Sequence, residues 1–192
     1  ARMVFHKKGF AATRTRDIAE AADINLALLN YYFRSKEKLF NIIMLETMQE
    51  FMKSFFGVFN DEKSSLEEKI EIIACNYIDL LILQPDIPIF ILSEIRNNPT
   101  ELMEKFQARQ LFFGSVFAQQ FNRKVEEGKI VNLSMYQFMM NLLGMLVFPF
   151  IASPLIKVTA QLDDQGFKKL ILERKKMIPL WMNSIMYKKE EI

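Results

Sequence analysis

The stretch from Thr13 to Phe40, TRTRDIAEAADINLALLNYYFRSKEKLF, leaves the chain little conformational choice. It reads as two short helices joined by a tight turn, followed by the start of a longer third. Ile18 and Ala19 supply the inner face of the first helix. Asp23 occupies the turn, where Asp is one of the few residues besides Gly that accept a left-handed backbone. Ile24 packs back beneath it. Asn25 is placed to cap the second helix by accepting from an N–H of its first turn. Leu29, Tyr32 and Phe33 then recur at the spacing of one helical face. A unit of this size has the dimensions of a helix-turn-helix, whose second helix enters the major groove of DNA.

The flanking sequence is helical throughout, so the predicted fold class is all-α. Residues 1–8 form a helix closed by Gly9, with Phe10 folding back onto its last turn. Thr13 or Thr15 caps the next helix, which runs to about Ala22. Ser35 opens a long helix carrying Leu39, Phe40, Ile43, Met44, Met48, Phe51, Met52 and Phe55 on one stripe, ending between Gly57 and Asn60. Ser64 or Ser65 opens another, with Glu67 and Glu68 favourably placed near its positive end, and Ile70 to Leu83 is apolar nearly all round. A short helix spans Pro88 to Asn97. Thr100 caps a long one with Phe106, Phe113, Phe117 and Phe121 on a shared stripe, closing at Gly128. The last helix, about Asp164 to Tyr187, is expected to kink or divide at Pro179.

Residues 134–152 are the most apolar part of the chain. A membrane span fits by length, but Asn141, Pro149, Ser153 and Pro154 interrupt it and no basic cluster flanks it. The expectation is a helix buried between subunits, with no membrane partner.

Charge is unevenly distributed. Residues 1–40 hold eight Lys or Arg against four acids, whereas the whole chain carries only +2. A basic head on a near-neutral body suits phosphate binding, although a solvated surface with no partner looks much the same. The single cysteine, Cys75, lies in an apolar run, which fits a reduced cytoplasmic protein. His6 is the only histidine and has no ligand-type neighbour at metal spacing; it reads as a surface or helix-end residue. No Gly-rich phosphate loop and no nucleophile–base pair can be argued from spacing. The chain therefore reads as a non-enzyme, without catalytic residue, metal or cofactor.

Gly9-Phe10, Thr13, Arg16-Asp17-Ile18-Ala19 and the run Leu29 to Phe40 (LNYYFRSKEKLF) resemble the N-terminal signature of the TetR family of transcriptional regulators. The resemblance covers about 38 residues at the N-terminal end; the C-terminal part matches in layout only. It implies a DNA-binding domain over residues 1–45, with the first part of helix one expected to lie upstream of Ala1. A ligand-binding and dimerisation domain follows over 46–192. It further implies a homodimer built on about 134–152 and 164–187, double-stranded DNA as partner, and a small-molecule effector whose binding releases a palindromic operator. Asn25, Leu26, Ala27, Leu28 and Asn30 fall on the recognition helix. Tyr31 or Tyr32 and Lys36 match positions that commonly contact phosphate, and Arg14, Thr15 and Arg16 stand at the helix entry where further backbone contacts are usual. Three positions depart from the pattern: Leu26 and Leu28 replace polar residues, and Asp23 replaces a turn Gly. Base reading then leans on Asn25, Asn30, Tyr31 and apolar contact with thymine methyls.

Eighteen Phe and twelve Met suggest an apolar or aromatic effector. The candidate pocket lining is Tyr77, Phe90, Met103, Phe106, Phe113, Phe117, Tyr136 and Met140, with Gln110 and Asn141 as polar anchors. Each of these is more often plain core. An alternative reading is a helical ligand-binding or protein-interaction module with a degenerate DNA-binding head, and Leu26 and Leu28 are the residues that favour it.

Overall fold

The computed structural model describes residues 1–97, 99, 100, 104 and 112–187, and helices are the only regular secondary structure among them. The expected pocket residues Met103, Phe106 and Gln110 lie outside the described residues. The chain forms two compact units, residues 1–53 with 86–106, and residues 54–85 with 107–192. The expected domain boundary at residue 45 falls within the first unit.

The first unit contains α1 (Arg2–Ala12), α2 (Thr15–Ala21), α3 (Leu26–Phe33), the first part of α4 (Lys36–Asn60) and α6 (Ile87–Asn97). Gly9 has φ 71° and ψ 178°, so α1 bends there, and only Gly adopts such a backbone cheaply. Neither Thr13 nor Thr15 caps α2. The Asp17 carboxylate accepts from the Arg14 N–H at 3.0 Å, and the Thr13 hydroxyl instead donates to the Gly9 carbonyl at 2.6 Å. Phe40 is the centre of the core: its ring meets Phe5 at 5.1 Å, Phe10 at 4.9 Å and Phe90 at 5.5 Å. Aromatic pairs of this kind add about 0.5–1.5 kcal/mol each beyond area burial. Through Phe90, α6 joins the head, a long-range association that helical periodicity does not reveal.

His6 is not a surface residue. Its Nε2 lies 3.0 Å from the buried Thr47 hydroxyl and its ring packs on Phe90 at 4.5 Å. Burial, aided by the Arg2 charge, holds its pKa below the ordinary value. Arg2 itself bridges Glu46 and Glu50, two carboxylates one turn apart on α4, at 2.9 and 2.8 Å.

The second unit holds α5 (Leu66–Leu83), α7 (Val116–Glu126), α8 (Met135–Ile151), α9 (Ser153–Thr159) and α10 (Asp164–Met186). Ser65 and Glu68 close a reciprocal capping box at the start of α5. Ile70, Ala74, Ile78 and Leu81 are fully buried on the α5 face that packs along α10. Phe117 and Phe121 both stack on Phe138, at 5.7 and 5.0 Å. The expected single helix through Phe113, Phe117 and Phe121 is broken. Gly114 and Ser115 turn the chain, the Ser115 hydroxyl accepts from Ala118 N–H, and α7 begins anew. Phe113 consequently leaves the stripe and is partly exposed.

Pro179 does not divide the last helix, which runs unbroken from Asp164 to Met186. Pro149 sits inside α8, and its solution is visible. A proline lacks the N–H that would reach the carbonyl four residues back, which here is Met145. The Arg174 guanidinium donates Nη2 to that carbonyl at 2.7 Å from α10, while its plane lies 5.1 Å from the Trp181 ring. Among the described residues no single helix is long and apolar enough to cross a membrane, and α8 and α9 are separated by a 67° bend.

Two outcomes follow from this packing. Arg174→Met should destabilise the protein by about 1 kcal/mol, the cost of losing a hydrogen bond to a half-buried carbonyl. Pro149→Ala, which restores the missing donor, should recover most of that loss. Urea unfolding followed by Trp181 fluorescence reads both, and equal losses with and without Pro149→Ala would contradict the assignment. His6, whose folded pKa lies below its ordinary 6.5, takes up a proton more readily when unfolded. Its contribution is complete above that value and is lost as pH falls below it. Replacing His6 by Gln, which still bonds Thr47 but does not titrate, should flatten the stability profile just below about pH 6.5; an unchanged thermal-melt profile would refute this.

Candidate nucleic-acid interface

The reading helix is set by local chemistry on both sides. Asp23 takes φ 51°, and Ile24 N–H donates back to the Ala19 carbonyl at 3.0 Å, which folds the turn under α2. Asn25 Oδ1 accepts from Ala27 N–H at 2.7 Å and caps α3. Leu29 is buried against the head. Ala27, Leu28 and Asn30 therefore face solvent, as do Tyr31 at 78% exposure and Tyr32 at 67%. Tyr32 does not share the inner face with Leu29. It stands edge-on to Tyr31 at 5.4 Å, giving an exposed aromatic pair.

The two leucines are not equivalent. Leu26 is half-buried, whereas Leu28 lies in the open. Only Leu28 therefore puts an apolar side chain where a polar one is usual. The cap also limits Asn25: its carbonyl oxygen is engaged with the backbone, leaving the amide N–H₂ as the free group. Asn30 has no such constraint among the described residues and is exposed.

At the entry to α2, Arg14 and Arg16 are exposed and Thr15 is half-buried. The Asp17 carboxylate next to them is held below its ordinary pKa by the Arg14 N–H and then by the Lys8 ammonium 3.0 Å away. It stays ionised and does not draw the Arg14 or Arg16 side chain into a contact among the described residues.

Lys36 is engaged within the protein. Its ammonium donates to the carbonyls of Phe10 and Thr13, both at 2.9 Å, and lies 4.2 Å from the Phe10 ring centroid. It ties the start of α4 to the link between α1 and α2.

The turn out of α3 is unusual. Arg34 has φ 59° and ψ −36°, and Ser35 N–H reaches back to the Phe33 carbonyl at 2.6 Å. This is close to the rare γ-turn of positive φ, a conformation that costs a residue with a side chain about 1–3 kcal/mol. Arg34 is exposed, and the motif reading passed over it. The missed signal is position: Arg34 is the basic residue that directly follows the last turn of α3.

The expected effector residues do not form one group. Phe90 belongs to the head unit, buried against Phe40 and His6. It lines a cleft of about 620 Å³ with Phe10, Phe40, Asn41, Ser93 and Asn97. In the second unit, Tyr77 is buried against Phe55, 5.3 Å away, and that burial pushes its hydroxyl pKa up. Phe117 is sealed in the core, Asn141 is half-buried, and Tyr136 and Met140 face outward. Phe113 touches Tyr136 at 4.9 Å.

Comparison with known proteins agrees with this geometry. The family described as "Bacterial regulatory proteins, tetR family" matches residues 1–43. The probable HTH-type transcriptional regulator YttP of Bacillus subtilis (strain 168) is 23% identical over 193 residues, covering 95% of this chain and 88% of its own. A crystal structure of the transcriptional regulator FadR from Bacillus subtilis, in complex with stearoyl-CoA, superposes with a TM-score of 0.66 at 17% identity. That match covers 97% of this chain and 96% of FadR, and it establishes the shared all-α fold. With its capped reading helix, the N-terminal part of the chain, residues 1–43, matches the DNA-binding region of the TetR family of bacterial regulatory proteins, and the whole chain is similar to a probable HTH-type transcriptional regulator.

Proposed function

We propose that this regulator is a repressor that binds a palindromic operator as a homodimer and is released by an apolar effector. The observation that carries the DNA reading is the outward face of α3. Ala27, Asn30 and Tyr31 are presented together on a helix fixed by Asn25 and Leu29. Asn30 is suited to an adenine edge, and Ala27 and Leu28 to thymine methyls. Arg14, Thr15, Arg16, Tyr31 and Tyr32 supply contacts along the phosphate wall.

The dimer reading rests on two apolar stripes in the second unit. On α8, Tyr136, Met140 and Leu143 recur at helical spacing and are all exposed. Gly144 lies beside them, with nothing near its missing side chain. A mid-helix Gly costs about 1 kcal/mol relative to Ala, and a face that admits close approach of a second helix gives it a use. On α10, Leu170, Met177, Leu180 and Trp181 are exposed in turn. Isologous pairing of such faces is the usual way a two-fold dimer forms, and a two-fold protein matches a palindromic site.

The effector is assigned to the second unit, with Tyr77, Phe113 and Asn141 as the candidates that remain accessible or polar. FadR was solved with stearoyl-CoA, so acyl chains are the first class to test. The competing reading, a binding module with a degenerate head, keeps only Leu28 in its favour, because Leu26 is partly withdrawn from the surface.

Three results test this function. The protein should bind one genomic duplex at least about a thousandfold more tightly than scrambled sequence at physiological salt, the low end of specific recognition. Equal affinity for every duplex would favour the binding module. Paired substitution of Met140 and Leu180 by Glu should yield monomers in sedimentation velocity and abolish operator binding; a persistent dimer would place the interface elsewhere. An acyl ligand at a hundred times its Kd should stabilise the protein by about 2.7 kcal/mol and displace it from DNA. Stabilisation without displacement would remove the effector role.

A further inference from the structure

Eight Lys and Arg side chains lie in residues 1–40, and the structure sorts them by what they already hold. Arg2 grips Glu46 and Glu50, Lys8 grips Asp17, and Lys36 is fastened to two backbone carbonyls. Lys7, Arg14, Arg16, Arg34 and Lys38 are exposed, and among the described residues their side chains make no hydrogen bond or ion pair. A phosphate competes on equal terms only for the second group. For the first, contact with DNA means giving up a partner inside the protein.

Lys36 is the clearest case of prior commitment. An ammonium has three donors, and two of them point at the Phe10 and Thr13 carbonyls at 2.9 Å. The Phe10 ring beneath fixes the nitrogen further, 4.2 Å from its centroid. Those carbonyls end the bent α1 and enter α2, so the lysine fastens together the segments that set the angle of α3.

Arg34 has the opposite character. It is the residue that closes α3, directly after Phe33, and its exposed guanidinium is free among the described residues. Its backbone is held at φ 59° by bonds on both sides, Arg34 N–H to the Asn30 carbonyl at 2.9 Å and Ser35 N–H to the Phe33 carbonyl. A Gly would take this turn without strain, yet the chain has an arginine. In a helix-turn-helix the first residues of the reading helix face base edges, and its far end approaches the sugar–phosphate wall. A planar fork of five donors is well matched to phosphate oxygens there.

We propose that Arg34 makes the phosphate contact at the C-terminal end of the reading helix. Lys36 is then a positioning residue, locking the head from within. This assignment rests on the DNA-binding reading of the head and moves to Arg34 the phosphate contact that the resemblance gives to Lys36.

The salt dependence of binding separates the two roles, because each phosphate contact contributes about 0.9 to the slope of log K against log salt. The probe is a labelled random-sequence duplex a few helical turns long, followed by fluorescence anisotropy alongside thermal melts. Arg34→Gly keeps the turn and removes the charge. It should weaken binding, flatten the slope by about 0.9 per engaged protomer, and leave the melting temperature undiminished. Arg34→Lys should retain the slope. Lys36→Met keeps the apolar stem and removes the ammonium; it should lower the melting temperature and the affinity while leaving the slope at the unaltered value. An Arg34→Gly slope equal to that of the unaltered protein overturns the assignment, as does a slope flattened by Lys36→Met. Absent or salt-insensitive binding by the unaltered protein overturns the DNA reading itself, and the assignment with it.

Discussion

The ring of Phe40 touches Phe5, Phe10 and Phe90, and the geometry of the head depends on that cluster. Two of the rings come from α1 and one from α6, so the first turns of α4 are fixed from two directions. The apolar cluster sets position without direction, because burial is indifferent to small rotations. Direction comes from hydrogen bonds around it. His6 meets Thr47 on one side, and on the other Lys36 reaches the carbonyls of Phe10 and Thr13. The surface ion pairs of Arg2 are weak in comparison, since exposed pairs contribute about 0–1 kcal/mol.

That arrangement explains how a head of modest charge can bind a polyanion. Cations engaged inside the protein add little to phosphate affinity, so the effective footprint is smaller than the composition suggests. It is also better placed. Arg14 and Arg16 stand at the entry to α2, and Arg34 and Lys38 flank the turn after α3. The exposed Tyr31 and Tyr32 lie between these groups. The resulting surface is polar at its edges and largely apolar at its centre, where Ala27 and Leu28 sit. Such a face reads methyl groups and groove shape more readily than a dense pattern of donors and acceptors.

What the sequence disclosed was local. The Asn25 cap, the left-handed Asp23, the positive φ of Gly9 (which bends α1 where the sequence suggested an end) and the capping box of Ser65 and Glu68 involve residues within a few positions of each other. The misreadings came from local rules applied too widely. The even spacing of Phe113, Phe117 and Phe121 suggested one helix, although Gly114 and Ser115 already spelled a stop and a new cap. Pro179 looked like a break, but helix context carries the chain through it. The contacts that mattered most were out of reach because their partners are remote. Lys36 meets carbonyls 26 and 23 residues away, and Arg174 fills the gap left by Pro149 from 29 residues beyond Met145. The candidate site was legible as a motif and a face, whereas the division of labour among its cations was not. The expected effector group was a list of large apolar residues, and such residues are shared between core, surface stripe and pocket without any mark in the sequence.

The proposed function has the capped, outward face of α3 reading DNA in a two-fold assembly. Selection of genomic fragments by the purified full-length protein, followed by sequencing, tests it most directly. The account predicts enrichment of an inverted repeat whose half-site centres lie about one helical turn, roughly 10 base pairs, or a multiple of it apart. Recovery of fragments with no shared sequence would contradict it.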